Sequence, residues 1–308
     1  MSKRPKEGVG PWAKEKLAAL GAYLDFYTKV LKNQGHWCKG TIFVDAFAGP
    51  GRDKIRRKAK PDASPLESLF DELEPPDEPE AVEFLKGSPR VALDISNPFS
   101  RYVFIERDPV RAAELRALER EYGDTRRIIV REGDAATELR QLLDDGVDWR
   151  NHRGVVFIDP FGMHIPWDVV AALGRTGGIE VMVNFPLNMA IQRFLVRSGN
   201  IRPNWRETLD DFFGSKEWWD HAYEESEDLF GPKTLKLADS GIRLLDWYRG
   251  RLRKEFGHVS TGRLIRNTQG GHLYYIVWAG PHKKGQDGAE YILSKGEKIT
   301  PVRRGGGK

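Results

Sequence analysis

Cysteine is almost absent: Cys38 is the single one in 308 residues. That excludes an internal disulfide framework and any metal or iron–sulfur site built from several thiolates. Cys38 itself, just ahead of the first apolar run, is expected to be a small buried apolar residue. Long apolar stretches are missing too, and none approaches the roughly 20 residues that a membrane-spanning helix needs. The basic start at residues 1–6 is followed by no apolar signal region. The seven histidines show no metal-ligand spacing, and no internal repeat is apparent. The expectation is a cytoplasmic protein that holds no metal and has no membrane partner.

What is present is enough for a core: 40% of residues are hydrophobic and 31% charged. A net charge of +4 says little over this length, but its distribution says more. Residues 52–60 carry six basic residues in nine, and residues 71–83 carry seven acidic ones in thirteen. The acidic run fits a solvated loop. Residues 1–10 are expected to be a disordered lead-in, and residues 11–308 a single domain with insertions at 52–86 and 198–234.

The periodicity alternates between two types. Leu17, Leu20, Leu24, Tyr27 and Leu31 recur at helical spacing, which predicts an amphipathic helix over 12–31. Short apolar runs at 41–47, 102–106, 128–130, 155–159 and 179–184 have the pattern of buried parallel strands, with helices between them. Ser88 is placed as an N-cap, with Pro89 opening the helix behind it. A helix near 187–196 precedes an aromatic-rich stretch at 200–232. A long helix over 235–256 follows, and then a hairpin from 258–267 and 272–279. Five parallel strands alternating with helices and closed by an antiparallel hairpin predict a Rossmann-like α/β fold of the class I methyltransferase type. Its sheet would be mostly parallel and seven-stranded, with a helical, aromatic insertion.

In such sheets ligands bind at the carboxyl ends of the strands, near the point where strand order reverses. The first strand ends in Asp45-Ala46-Phe47-Ala48-Gly49-Pro50-Gly51, where glycines allow close backbone approach to a ligand. The loop has neither the three-glycine dinucleotide fingerprint nor a P-loop lysine. The second strand ends in Glu106, an acceptor for ribose hydroxyls, and Asp134 follows the third, where it could accept from an adenine amine. Each acid alone is more often a turn or helix cap. At three successive strand ends they describe a purine nucleoside pocket with a non-phosphate tail, which favours S-adenosylmethionine as cofactor, bound by Asp45, Phe47, Ala48, Gly49, Gly51, Glu106 and Asp134.

The fourth strand ends in Asp159-Pro160-Phe161-Gly162. With the Asp45 loop, it resembles the motif pair of class I amino-methyltransferases acting on nucleic-acid bases. That resemblance implies that Asp159 and the Pro160 carbonyl accept from the target amine and that Phe161 stacks on the base. Phe161 and Gly162 depart from that family's proline–aromatic pair, which puts amino-group specificity in question. Arg52, Arg56 and Arg57 in the basic run, with Asn184 and Arg193, are candidate substrate contacts at the rim, where basic groups would position phosphates. Asn184-Phe185-Pro186 fits a plain turn as well. Trp205, Trp218 and Trp219 are either stacking surfaces for bases or a small satellite core. His164 is expected to be solvated.

Over most of its length the chain is also similar to the three-Cys-motif partner proteins. The matching segments are the Asp45 loop, Gly87-Ser88-Pro89, Phe104-Ile105-Glu106, Asp159-Pro160-Phe161-Gly162, Asn184-Phe185-Pro186 and Trp278-Ala279-Gly280-Pro281-His282, in that order. This resemblance implies a bacterial or phage protein with a methyltransferase-like fold, encoded beside a radical-SAM-like protein that carries three cysteines. The two readings are a methyltransferase acting on nucleic acid or a nucleotide, and a non-catalytic, SAM-binding subunit of that partner. Transfer of the aminocarboxypropyl group is a third.

Overall fold

Val, Ile, Phe and Tyr crowd the runs that become strands, as β-branched and aromatic side chains pack well on a pleated surface. The computed structural model describes residues 11–49, 87–160, 162–228, 231–267, 270–295 and 297–298. The expected disordered lead and the insertion at 52–86 lie outside them. Eleven strands are described: β1 (Gly40–Asp45), β2 (Arg101–Glu106), β3 (Ile128–Glu132), β4 (His152–Ile158), β5 (Ile179–Phe185), β6 (Tyr223–Asp228), β7 (Gly231–Lys236), β8 (His258–Val259), β9 (Arg263–Arg266), β10 (His272–Gly280) and β11 (Glu297–Lys298).

The main sheet runs in the order β3-β2-β1-β4-β5-β10-β9-β11, with β8 also paired to β10. The first five are mutually parallel, and β10 lies antiparallel between β5 and β9. This is a Rossmann-like, methyltransferase-type α/β fold, and its strand order reverses between β1 and β4. Nine strands rather than seven make the sheet. The two extra strands, β8 and β11, have two residues each, too short to leave a pattern in the sequence.

Alternation along the strands sorts the core into two layers. Phe43, Phe104, Phe157, Met182 and Trp278 face one side. There they meet α1 (Pro11–Leu31), α2 (Ser88–Leu93), α3 (Pro109–Tyr122) and α9 (Lys283–Leu293). Val44, Ile105, Ile158, Val183 and Val277 face the other. That side is covered by α4 (Ala135–Asp144), α5 (Trp167–Arg175) and α8 (Ser240–Phe256), together with α6 (Pro203–Phe213) and α7 (Trp218–Ala222). Strand residues of odd number in β1 and β4 and of even number in β2 and β5 therefore point toward α1.

Several expectations are corrected. The long helix begins at Ser240, because 231–236 pairs with 223–228 as a separate hairpin. Glu, Asp and Ser are poor strand formers, so the hairpin was invisible to apolar periodicity. The helix near 187–196 is a π-helical turn, Leu187–Ile191, running into Gln192–Phe194. The strand expected over 258–267 is broken into β8 and β9. The N-cap of α2 is Gly87 rather than Ser88. Cys38 is half-buried and not in the core, its thiol 3.5 Å from the Gly40 carbonyl.

Candidate functional site

Asp45 closes β1 and is completely buried (0% exposed). The Phe47 amide donates to its Oδ1 at 3.2 Å, while the buried Oδ2 has no hydrogen-bond partner among the described residues. Burial raises its carboxyl to about pKa 7, against the pull of the Ser88 hydroxyl and the Phe47 amide. Asp159 raises it further and Lys16 lowers it, so all three share one electrostatic neighbourhood. The loop that follows is pinned by backbone bonds from Ala46 to Phe157 and from Ala48 to Ile105, both 3.0 Å. Gly49 then turns with φ +60°, a left-handed conformation that side chains resist.

Glu106, at the end of β2, is also buried, and its Oε1 accepts from the Asp108 amide at 2.8 Å. That bond fixes the carboxylate at the strand end. Asp134 is exposed and caps α4, accepting from the Thr137 amide at 3.1 Å. His164 is not simply solvated as expected. It is half-buried and packs on Phe47 with ring centroids 6.5 Å apart. Burial lowers its pKa and the nearby Arg107 lowers it further, opposed by Asp134. The loops after β1, β2, β3 and β4 therefore converge.

A second cluster is organised around Asp159. Lys16 on α1 forms an ion pair with its Oδ2, and Asn184 on β5 donates to its Oδ1 at 2.8 Å. Lys16 is only 6% exposed, and its ammonium lies 5.5 Å from the centre of the Tyr274 ring on β10. Burial would lower the Lys16 pKa, but Asp159 and Tyr274 more than offset it and hold it above the ordinary lysine value. Asn184 is 4% exposed, and its own Oδ1 is buried without a partner among the described residues. Asp45, Asp159 and Asn184 all fall on the α1 side of three adjacent strands.

Of the expected site residues, Asp45, Phe47, Ala48, Gly49, Glu106, Asp159, Pro160 and Asn184 gather at these strand ends. Gly51, Arg52, Arg56, Arg57 and Phe161 lie outside the described residues. Arg193 is exposed in the turn after Leu187–Ile191. The insertion's tryptophans are packed. Trp218 is fully buried and donates to Asp210 at 2.7 Å. Trp205 stacks on Phe194 at 4.8 Å, and Trp219 on Tyr223 at 4.4 Å. Arg202 and Arg206 lie against Trp205 and Trp219 at 4.7 and 4.6 Å. These rings are part of the core layer on that face of the sheet, neither a separate satellite core nor a row of open stacking surfaces. Lys16 was missed, and helical periodicity held no signal for it. Among the described residues no group of acids, histidines and cysteines is arranged to hold a metal, and no helix is long and apolar enough to cross a membrane.

No family model matches the chain, and no curated protein matches it. Among solved structures, one similar chain is a Legionella pneumophila str. Philadelphia 1 protein of the DUF519 family, with TM-score 0.43 and 14% identity over 90% of this chain and 91% of that one. Another is geranyl diphosphate methyltransferase in complex with SAM, with TM-score 0.28 and 12% identity over 84% of this chain and 85% of that one.

Proposed function

We propose that the chain is an S-adenosylmethionine-dependent methyltransferase acting on an amino group of a nucleic-acid base or nucleotide. One observation carries the reading: two buried acceptor oxygens without partners among the described residues, on Asp45 and Asn184, flank Asp159 on one face of three adjacent strand ends. Unsatisfied buried polar atoms are costly, and a ligand that donates to them removes the cost. The residues fit the cofactor. Asp45 Oδ2 offers a dry acceptor for its ammonium, the Gly49 turn leaves room beside it, and Glu106 faces the ribose. S-adenosylmethionine, held by Asp45, the Gly49 turn and Glu106, would supply an electrophilic sulfonium methyl to the substrate amine. The protein's part is positioning: holding the amine against the methyl supplies much of the rate.

The test is to incubate purified protein with labelled S-adenosylmethionine and total nucleic acid, then analyse the digested nucleosides by mass. The expected result is one N-methylated nucleoside. A nucleoside carrying an aminocarboxypropyl mass instead would replace the reading.

The second reading is a SAM-binding, non-catalytic subunit docked on a radical-SAM-like three-Cys-motif protein. What favours it is that both Asp159 oxygens are already engaged by Lys16 and Asn184. Cofactor binding and copurification with that partner, with no methylated nucleoside, would support it over the first.

A further inference from the structure

We infer that Asn184, rather than Asp159, presents the hydrogen-bond acceptor to the substrate's amine, with Asp159 and Lys16 acting behind it as positioning residues. The inference rests on the amino-group reading above and refines it.

A carboxylate paired with an ammonium is an acceptor only. Lys16 occupies Oδ2 of Asp159 and Asn184 occupies Oδ1. An incoming amine would therefore have to displace a buried lysine or share an oxygen already in use. The same pairing settles which way the Asn184 amide faces. Its contact with Asp159 must be made by the NH2 end, since two acceptors do not bond, so the carbonyl oxygen sits on the other edge of the planar group. That oxygen is buried and unpartnered in a side chain that is 4% exposed.

The arrangement is a directed chain. Lys16 fixes the carboxylate, the carboxylate holds the Asn184 amide, and the amide keeps one buried acceptor open at the end of β5. Lys16 comes from α1, Asp159 from the end of β4 and Asn184 from β5, so no single loop movement rotates the acceptor away. A neutral amide oxygen suits an exocyclic amine: it accepts one N–H without taking the proton, which leaves the lone pair for the methyl. An oxo group at the same place would meet the acceptor lone pair against lone pair. A site built to receive an N–H rejects the analogue lacking it far more strongly than an apolar pocket does.

The experiment measures binding of single-stranded oligonucleotides that differ only at that group, oligo(dA) against oligo(dI) and oligo(dC) against oligo(dU), to protein saturated with S-adenosylhomocysteine. The parent is expected to prefer the amine-bearing member of one pair by tenfold or more. Asn184→Leu should bring the two members within about twofold while leaving S-adenosylhomocysteine affinity within about threefold. Asp159→Asn, which keeps an oxygen for the Asn184 NH2, should retain part of the preference.

The inference is overturned if Asn184→Leu keeps the preference, if Asp159→Asn alone abolishes it, or if the parent has none in either pair. A large loss of S-adenosylhomocysteine affinity in Asn184→Leu would overturn it too, by assigning the oxygen to the cofactor. If the parent discriminates in this way yet transfers no methyl group to the preferred oligonucleotide, methyl transfer fails as the function and the recognition role of Asn184 stands.

Discussion

Tyr23 on α1 donates its hydroxyl to Glu180 on β5, about two helical turns from Lys16. The Trp278 indole donates to the same carboxyl at 3.3 Å. α1 is thus tied to the parallel strands by Asp159 beyond the carboxyl end of β4 and by Glu180 near the start of β5, in addition to the pair of its Glu15 with Arg263 on β9. No cation forms an ion pair with Glu180 among the described residues, and burial raises its pKa to about 7, with the Tyr23 and Trp278 bonds and the charge of Arg153 pulling it down. The folded chain therefore holds a proton that the unfolded chain releases near pH 4.5, so stability falls as pH rises from about 4.5 through 7. Glu180→Gln should be more stable than the parent above pH 7, by on the order of a few kcal/mol, with the advantage vanishing below about pH 4. Urea denaturation at pH 4, 6 and 8 measures it; an advantage independent of pH would contradict the assignment.

Lys16→Met strands the Asp159 carboxylate in a mostly buried setting. Breaking a buried pair from one side costs about 3 kcal/mol, because the remaining charge keeps its desolvation penalty. The double variant Lys16→Met/Asp159→Asn should recover part of that loss, since no charge is left alone. A denaturation cycle over the two singles and the double gives the coupling, and strictly additive losses would show that the pair is not energetically linked.

Asp45→Asn should improve stability and impair binding at once. With the carboxyl raised to about 7 by burial, its ionised form penalises the folded state above that pH, and the amide removes the penalty. The same substitution deletes the charge proposed to meet the cofactor's ammonium. Calorimetry at pH 8 is expected to show weaker S-adenosylhomocysteine binding, alongside a higher melting temperature. Unchanged affinity would move the ammonium site elsewhere.

Gly49→Ala places a side chain at φ +60°, a conformation that costs about 1–2 kcal/mol for a residue with Cβ. Space is not the obstacle, since a Cβ there meets nothing within 4 Å. The expected loss of stability is therefore of that size and no larger, with cofactor affinity reduced if the loop relaxes to escape the strain. Denaturation and calorimetry on the same preparation separate the two effects.

The parallel strands were legible because a strand buried on both faces must be apolar throughout, and each run stops where the chain turns polar. The polar residue that closes each run marks Asp45, Glu106, Asp159 and Asn184 as strand ends. Two things were hidden. The Tyr223–Asp228 strand is acidic and pairs with a lysine-bearing partner, so its stability comes from pairing rather than from apolar alternation. Lys16 is one of 49 basic residues, and its partner lies 143 positions away; only the crossing of α1 over the sheet brings them together. Asp134 shows the ambiguity of a single acid, since the cap it forms is visible in the structure and the adenine contact remains a proposal.

The Lys16 contact also has a bearing on how the site matures during synthesis. Lys16 leaves the ribosome early, yet its carboxylate partner belongs to β4, its amide-linked neighbour to β5 and the ring beneath it to β10, near residue 274. Contacts of such sequence separation form late, after the loops between them have closed. The charged end of α1 gives up its water only once β4, β5 and β10 stand beside it, so the cluster around Asp159 is complete only when distant parts of the chain have met.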